Sequence, residues 1–158
     1  MPATQFPPPA GRCAAERVLD PVRAHLGEAF SGVIVKRPVP MKDSTEYSAV
    51  EFEVLCASIA ETRSRCTLVT HGTDTMIKTG LRVSELLGNN DAMKTIVITG
   101  AMRPEKFKDS DAAVNLGAAL GVFSEALGLS GVFISMHGQV IPVKRAARND
   151  DGTFFVAV

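Results

Sequence analysis

The stretch that decides the fold is Cys66-Thr67-Leu68-Val69-Thr70-His71-Gly72-Thr73-Asp74-Thr75-Met76. It opens with a short β-prone run, Thr67 to Thr70. It breaks at Gly72, sets hydroxyls on either side of a carboxylate at Thr73-Asp74-Thr75, and passes into a helical pattern. A strand, a tight turn and a helix N-terminus in that order gather free backbone N–H groups at the carboxyl edge of a sheet.

Downstream the same alternation repeats. A helix is expected over about 75–87, with Leu81, Val83, Leu86 and Leu87 as its apolar positions, ended by Gly88-Asn89-Asn90. Thr95-Ile96-Val97-Ile98-Thr99 is continuously apolar and β-branched, as in a strand buried on both faces. Gly100-Ala101-Met102-Arg103-Pro104 breaks it, and Ser110-Asp111 is a candidate cap for an Ala- and Leu-rich helix over about 111–127. Val132 to Met136 reads as a strand, residues 137–150 as a polar, basic stretch, and Phe154-Phe155-Val156 as β-prone.

Upstream, Lys42-Asp43-Ser44-Thr45 is a polar loop able to cap a helix over about 46–62. That helix would turn Val50, Val54, Leu55, Ser58 and Ile59 to one side. Val33-Ile34-Val35 is a strand core, and Asp20-Pro21 opens a short helix to about Ala29. Residues 1–19 are proline-rich and read as a disordered or atypical tail, and residues 20–158 as one α/β domain. The expected fold is a three-layer α/β/α arrangement around a mostly parallel, flavodoxin- or Rossmann-like sheet. Ligands of such sheets bind outside the carboxyl ends of the strands.

Size and charge narrow the function. The chain has 158 residues and 17 basic against 17 acidic side chains, a balance that offers no field for nucleic acid or an anionic membrane surface. No apolar run has a transmembrane length. Three cysteines without metal-type spacing suit a reduced, cytoplasmic setting, and Cys56 and Cys66 read as small buried apolar residues. His71, His25 and His137 have no ligand spacing, so neither a metal nor another cofactor is expected. Thr73 and Asp74 have two readings at this level. They cap the following helix, or they act as a hydroxyl and carboxylate in chemistry. Asp43-Ser44 divides the same way between capping and holding a carboxylate, and Arg103 and Arg148 read equally well as solvated surface charges. A phosphate- or nucleotide-binding domain ranks last, because no Gly-x-Gly-x-x-Gly or Gly-Lys-Ser/Thr pattern is present.

Thr70 to Met76 resembles the second signature of the bacterial-type L-asparaginases. Thr99-Gly100-Ala101-Met102-Arg103-Pro104 is similar to that family's next strand end, and Ser110 to Gly117 to the segment after it. Lys42-Asp43-Ser44 resembles the substrate loop of the short, single-domain branch. The resemblance covers about Asp20 to the C-terminus. It implies hydrolysis of the side-chain amide of L-asparagine, or of glutamine or a related small amino-acid amide, in a homo-oligomer. By the same resemblance Thr73 and Asp74 belong to a hydroxyl–lysine–carboxylate relay. Asp74 also holds the substrate amino group, and Asp43 and Ser44 bind at its α-carboxylate. Gly72 lies along the substrate, and the Ala101 carbonyl meets its amide.

Two departures are visible. The relay lysine aligns with Arg148, which keeps the charge but cannot accept a proton; Lys144 lies four positions earlier. The family's first strand, with a Gly-Gly-Thr-Ile turn carrying its primary nucleophile, has no counterpart before residue 20. That strand is central in the doubly wound order, so its loss is expected to expose an edge of the strand at Thr67. The sequence therefore suggests a chain truncated relative to its family. The alternative to an active amidohydrolase is a catalytically impaired member that keeps a pocket for an acidic amino acid or its amide.

Overall fold

The computed structural model describes residues 43–104, 106–124 and 127–158. The tail at 1–19, the helix expected from Asp20 and the strand expected at Val33 to Val35 lie outside the described residues, as does Lys42.

Four strands form the main sheet: β1 (Cys66–Thr70), β2 (Thr95–Thr99), β3 (Gly131–Met136) and β4 (Gln139–Pro142), in that spatial order. β1, β2 and β3 run parallel, with Thr70 opposite Thr99 and Thr99 opposite Ser135. Their carboxyl ends therefore finish level, on one edge. β4 returns antiparallel to β3 through the tight turn at His137-Gly138, both at positive φ. A two-stranded antiparallel ribbon, β5 (Ala146–Arg148) and β6 (Phe154–Val156), follows. The stretch 137–150, read from sequence only as polar and basic, thus contains one strand of the sheet and one of the ribbon. Its turn residues hid a hairpin whose apolar positions, Val140 and Ile141, are few.

Three helices cover the faces: α1 (Ala49–Ala60), α2 (Met76–Leu87) and α3 (Ala112–Val122). Alternation along each strand sorts the core into two layers. Ile96, Ile98, Val132, Ile134 and Met136 pack with Leu55, Cys56, Ile59 and Ala60 of α1 and Met76, Val83 and Leu87 of α2. Val97 and Phe133 point the other way, onto Ala119 and Val122 of α3. The three-layer α/β expectation holds.

Local chemistry explains the element boundaries. Ser48 caps α1 in a reciprocal box with Glu51, so the cap is Ser48 and not the loop at Asp43 to Thr45. Asp43 instead caps a short 3-10 turn, Ser44–Glu46, through Thr45. The buried side of α1 also differs from the expected one: Val50 is exposed and Cys56 is fully buried. In α2, Leu81 and Leu86 are exposed, while small and polar residues, Thr79, Gly80 and Ser84, are buried. Gly80 must be small, because a Cβ there would lie 2.7 Å from Val143 Cγ2. α3 ends at Val122, short of the expected Leu127.

Burial is uneven across the sheet. Every residue of β2 and β3 is buried. β1 is the edge strand of the described sheet, with Cys66 and Thr70 exposed and Thr67 to Val69 half-buried. Cys66 is accordingly not the buried apolar residue expected, whereas Cys56 is.

Candidate active site

The carboxyl ends of β1, β2 and β3 release the loops 71–75, 100–111 and 137–138. The first comes off β1, whose pairing to β2 extends one residue further through His71 N–H to the Thr99 carbonyl at 2.8 Å. His71 then turns its ring back. Nδ1 lies 2.7 Å from the Gly72 carbonyl and Nε2 2.9 Å from Thr79 Oγ1 on α2. Burial lowers the pKa of the ring below its ordinary 6.5, and the bond to the Gly72 carbonyl opposes this only partly.

Gly72 and Ser44 meet face to face. A Cβ at Gly72 would sit 2.5 Å from Ser44 Oγ and 3.1 Å from Ser44 Cβ, so a side chain there would push the serine away. Thr75 Oγ1 reaches the Ser44 carbonyl at 3.4 Å. The structure thus brings Ser44 onto the turn that carries Thr73 and Asp74. Asp43, beside it, has its carboxylate occupied by the Thr45 N–H and hydroxyl at 2.9 and 2.7 Å, which hold its pKa below the ordinary carboxylate value.

Neither Thr73 nor Asp74 caps α2. The N-cap is Thr75, and it makes no side-chain capping bond. Thr73 is half-buried, and among the described residues nothing hydrogen-bonds its side chain. The Asp74 carboxylate receives Arg148 Nη1 at 2.8 Å, across 74 positions of sequence. Arg148 is therefore not a solvated surface charge. Its guanidinium stands 5.6 Å from the Phe154 ring centre, and Nε reaches the Gly152 carbonyl at 3.4 Å. Phe154 is fully buried and its N–H donates to His137 Nε2 at 3.2 Å. The ribbon is thereby fixed over the carboxyl edge. Lys144 is exposed and sits in the 3-10 turn Val143–Arg145, before β5.

The second loop is held from below. A Cβ at Gly100 would collide with the His71 carbonyl, which places this loop directly against the first. Asp111 does not cap α3 through its side chain. Its carboxylate accepts the N–H groups of Met102 and Arg103 at 3.1 and 3.0 Å. Burial raises its pKa, but these two bonds and Asn115 outweigh that and hold it below the ordinary 3.8. Asn115, fully buried, donates Nδ2 to the Gly100 carbonyl at 3.0 Å and to Asp111 at 2.8 Å, and accepts the Gly138 N–H at 3.2 Å. One side chain thus ties the loop presenting Ala101 to the hairpin turn. Arg103 pairs with Asp109.

Ser44, Gly72, Thr73 and Asp74 therefore share one corner of the edge, with Arg148 on Asp74 and Ala101 on the adjoining loop. Sequence reasoning did not place Asp111, Asn115, Thr79 or the ring of His71 in this network. The one available signal was Asp111 and Asn115 at i and i+4, with an asparagine in the middle of an Ala-rich helix that does not favour it. Among the described residues no group of three or more His, Cys, Asp or Glu side chains converges as metal ligands. No described helix is long and apolar enough to cross a membrane.

Comparison with known proteins identifies the family and the fold. Residues 13–154 match the family Asparaginase, N-terminal. The chain belongs to that family. Its fold is similar to a probable cytoplasmic L-asparaginase from Campylobacter jejuni (TM-score 0.71, 21% identity, 96% of this chain and 47% of that one). It is also similar to L-asparaginase I from Vibrio cholerae O1 biovar eltor str. N16961 (TM-score 0.74, 19% identity, 94% and 45%). A curated relative from Methanococcus vannielii, a component of its glutamyl-tRNA(Gln) amidotransferase, is 34% identical over 73 residues, 46% of this chain and 16% of that protein. The chain spans under half the length of each of these relatives.

Proposed function

We propose that this asparaginase-family chain is an amidohydrolase acting on the side-chain amide of L-asparagine. The observation that supports it best is the Thr73 hydroxyl. It stands at the carboxyl edge of a parallel sheet, released from capping and without a side-chain partner among the described residues, next to the Asp74 carboxylate and the glycine–serine contact of Gly72 with Ser44. Such an edge suits a zwitterionic amide. Asp74 offers an anion to the α-ammonium, Ser44 and nearby N–H groups offer donors to the α-carboxylate, and Thr73 directs a water at the amide carbon. In the reaction a C–O bond forms from water and the amide C–N bond breaks. The departing nitrogen takes up the proton that water loses, giving L-aspartate and ammonia. In this reading Ala101, held by the Asp111–Asn115 network, meets the amide through its carbonyl.

A second reading is favoured by Arg148. A guanidinium cannot accept a proton, and here it already holds Asp74 at 2.8 Å. A substrate ammonium must displace it, and no lysine-like relay passes through it. On that reading the chain binds L-aspartate or L-asparagine and does not turn the amide over. Ammonia release from L-asparagine by the purified chain, measured beside Thr73→Ala, separates the two. Release lost in Thr73→Ala supports hydrolysis. Calorimetric binding of L-aspartate with no release supports the binding protein, and release unchanged by Thr73→Ala overturns the site.

A further inference from the structure

We infer that His71 is the positioning residue of the Gly72–Thr73 turn, acting as a neutral imidazole protonated on Nδ1 that strings Thr79, its own ring and the Gly72 carbonyl into one chain of hydrogen bonds. The directions follow from the partners. A carbonyl only accepts, so Nδ1, 2.7 Å from the Gly72 oxygen, carries the proton. In the neutral ring Nε2 is then the acceptor, and the Thr79 hydroxyl at 2.9 Å donates to it. Thr79 is fully buried on α2, one turn beyond the N-cap, so the chain is anchored in the core and not in solvent.

The backbone of the same residue is anchored separately. Its N–H bonds the Thr99 carbonyl, and its carbonyl faces Gly100 at a distance that excludes a Cβ. Main chain and ring together fix the peptide plane between Gly72 and Thr73. Both ring nitrogens are engaged by the protein, and the ring acts through the orientation of the residue that follows Gly72. Neutral imidazole in water prefers the proton on Nε2, so this arrangement is one that the protein imposes.

The positional role of the turn in catalysis rests on the amidohydrolase reading; the tautomer and its grip on Gly72 do not. The test uses the whole chain with 15N-labelled histidine and backbone. The His71 imidazole, assigned by its loss in His71→Asn, is expected to show the Nδ1–H pattern at pH 7, and an Nε2–H or averaged pattern overturns the inference. Asparagine places an amide donor near Nδ1 and glutamine near Nε2. His71→Asn is therefore expected to leave the Thr73 amide resonance near its native position, and His71→Gln to displace it. Equal displacement by both, or by neither, overturns the inference. Calorimetry with L-aspartate then addresses the site separately. Binding weakened about tenfold in His71→Gln but not in His71→Asn extends the role to the ligand. Absence of binding by the native chain counts against the amidohydrolase reading and leaves the resonance criteria to decide the positioning of the turn.

Discussion

The two halves of the described sheet differ in how they are held. β2 and β3 are buried along their whole length, and the loop leaving β2 is pinned by Asp111 and Asn115. β1 is its edge, half-buried at best, and the turn leaving it is held by the His71 ring, by a glycine–serine contact and by one ion pair. The groups with chemical potential, Thr73 and Asp74, sit on the second half. A rigid side carries the stability and a lightly held side carries the reactive groups. This is the usual division between scaffold and site in parallel sheets.

The largest effect that tests this division is in the core. Ile134→Ala, at a fully buried position of β3, is expected to cost about 3–4 kcal/mol, and Leu68→Ala on β1 about 1–2 kcal/mol, by chemical denaturation. Equal losses would remove the distinction. Next comes the hub. Asn115→Ala leaves the Gly100 carbonyl and the Gly138 N–H without their partner, and should cost about 2–3 kcal/mol while displacing the amide resonances of both loops. A loss below about 0.5 kcal/mol would show the network to be dispensable.

On the lightly held side, Arg148→Lys restores a group able to exchange a proton beside Asp74. Ammonia release from L-asparagine should rise at least about tenfold with little change in stability, since lysine keeps the positive charge beside a largely exposed Asp74. An unchanged or lower rate counts against the relay position. A smaller effect is the pH dependence. His71 in the native chain has its pKa below 6.5, so the unfolded chain binds its proton first as pH falls. Its contribution is complete above pH 6.5 and declines below it. Asp111, held below 3.8, adds a loss only in stronger acid. His71→Asn should flatten the decline of stability that sets in below pH 6.5 and leave the stronger-acid loss in place. An identical profile would show that the ring is not protected from protonation.

Much of this was legible in the sequence, for physical reasons. The run Thr95 to Thr99 is buried on both faces and so is apolar throughout, which delimits β2 to the residue. Gly100 marks where two backbones approach too closely for a Cβ, and Gly72 where the Ser44 side chain lies against the turn. What was not legible is long-range or side-chain specific. The pairing of Asp74 with Arg148 joins residues 74 apart, and only the fold brings them together. Capping propensity pointed to Thr73, Asp74 and Asp111, yet each carboxylate or hydroxyl was drawn elsewhere by tertiary partners or left free. The hairpin at His137-Gly138 depends on positive φ at a non-glycine residue, which composition does not announce.

The most direct test of the central claim is where an acidic amino acid binds. Titration of the 15N-labelled chain with L-aspartate, the product of the proposed reaction, should move the backbone resonances of Ser44, Gly72, Thr73, Asp74 and Ala101 together along one saturation curve. It should leave the amino edge of the sheet at Arg63, Arg65 and Lys94 unmoved. Shifts confined to that opposite edge, or none up to millimolar ligand, would contradict the assignment of the site.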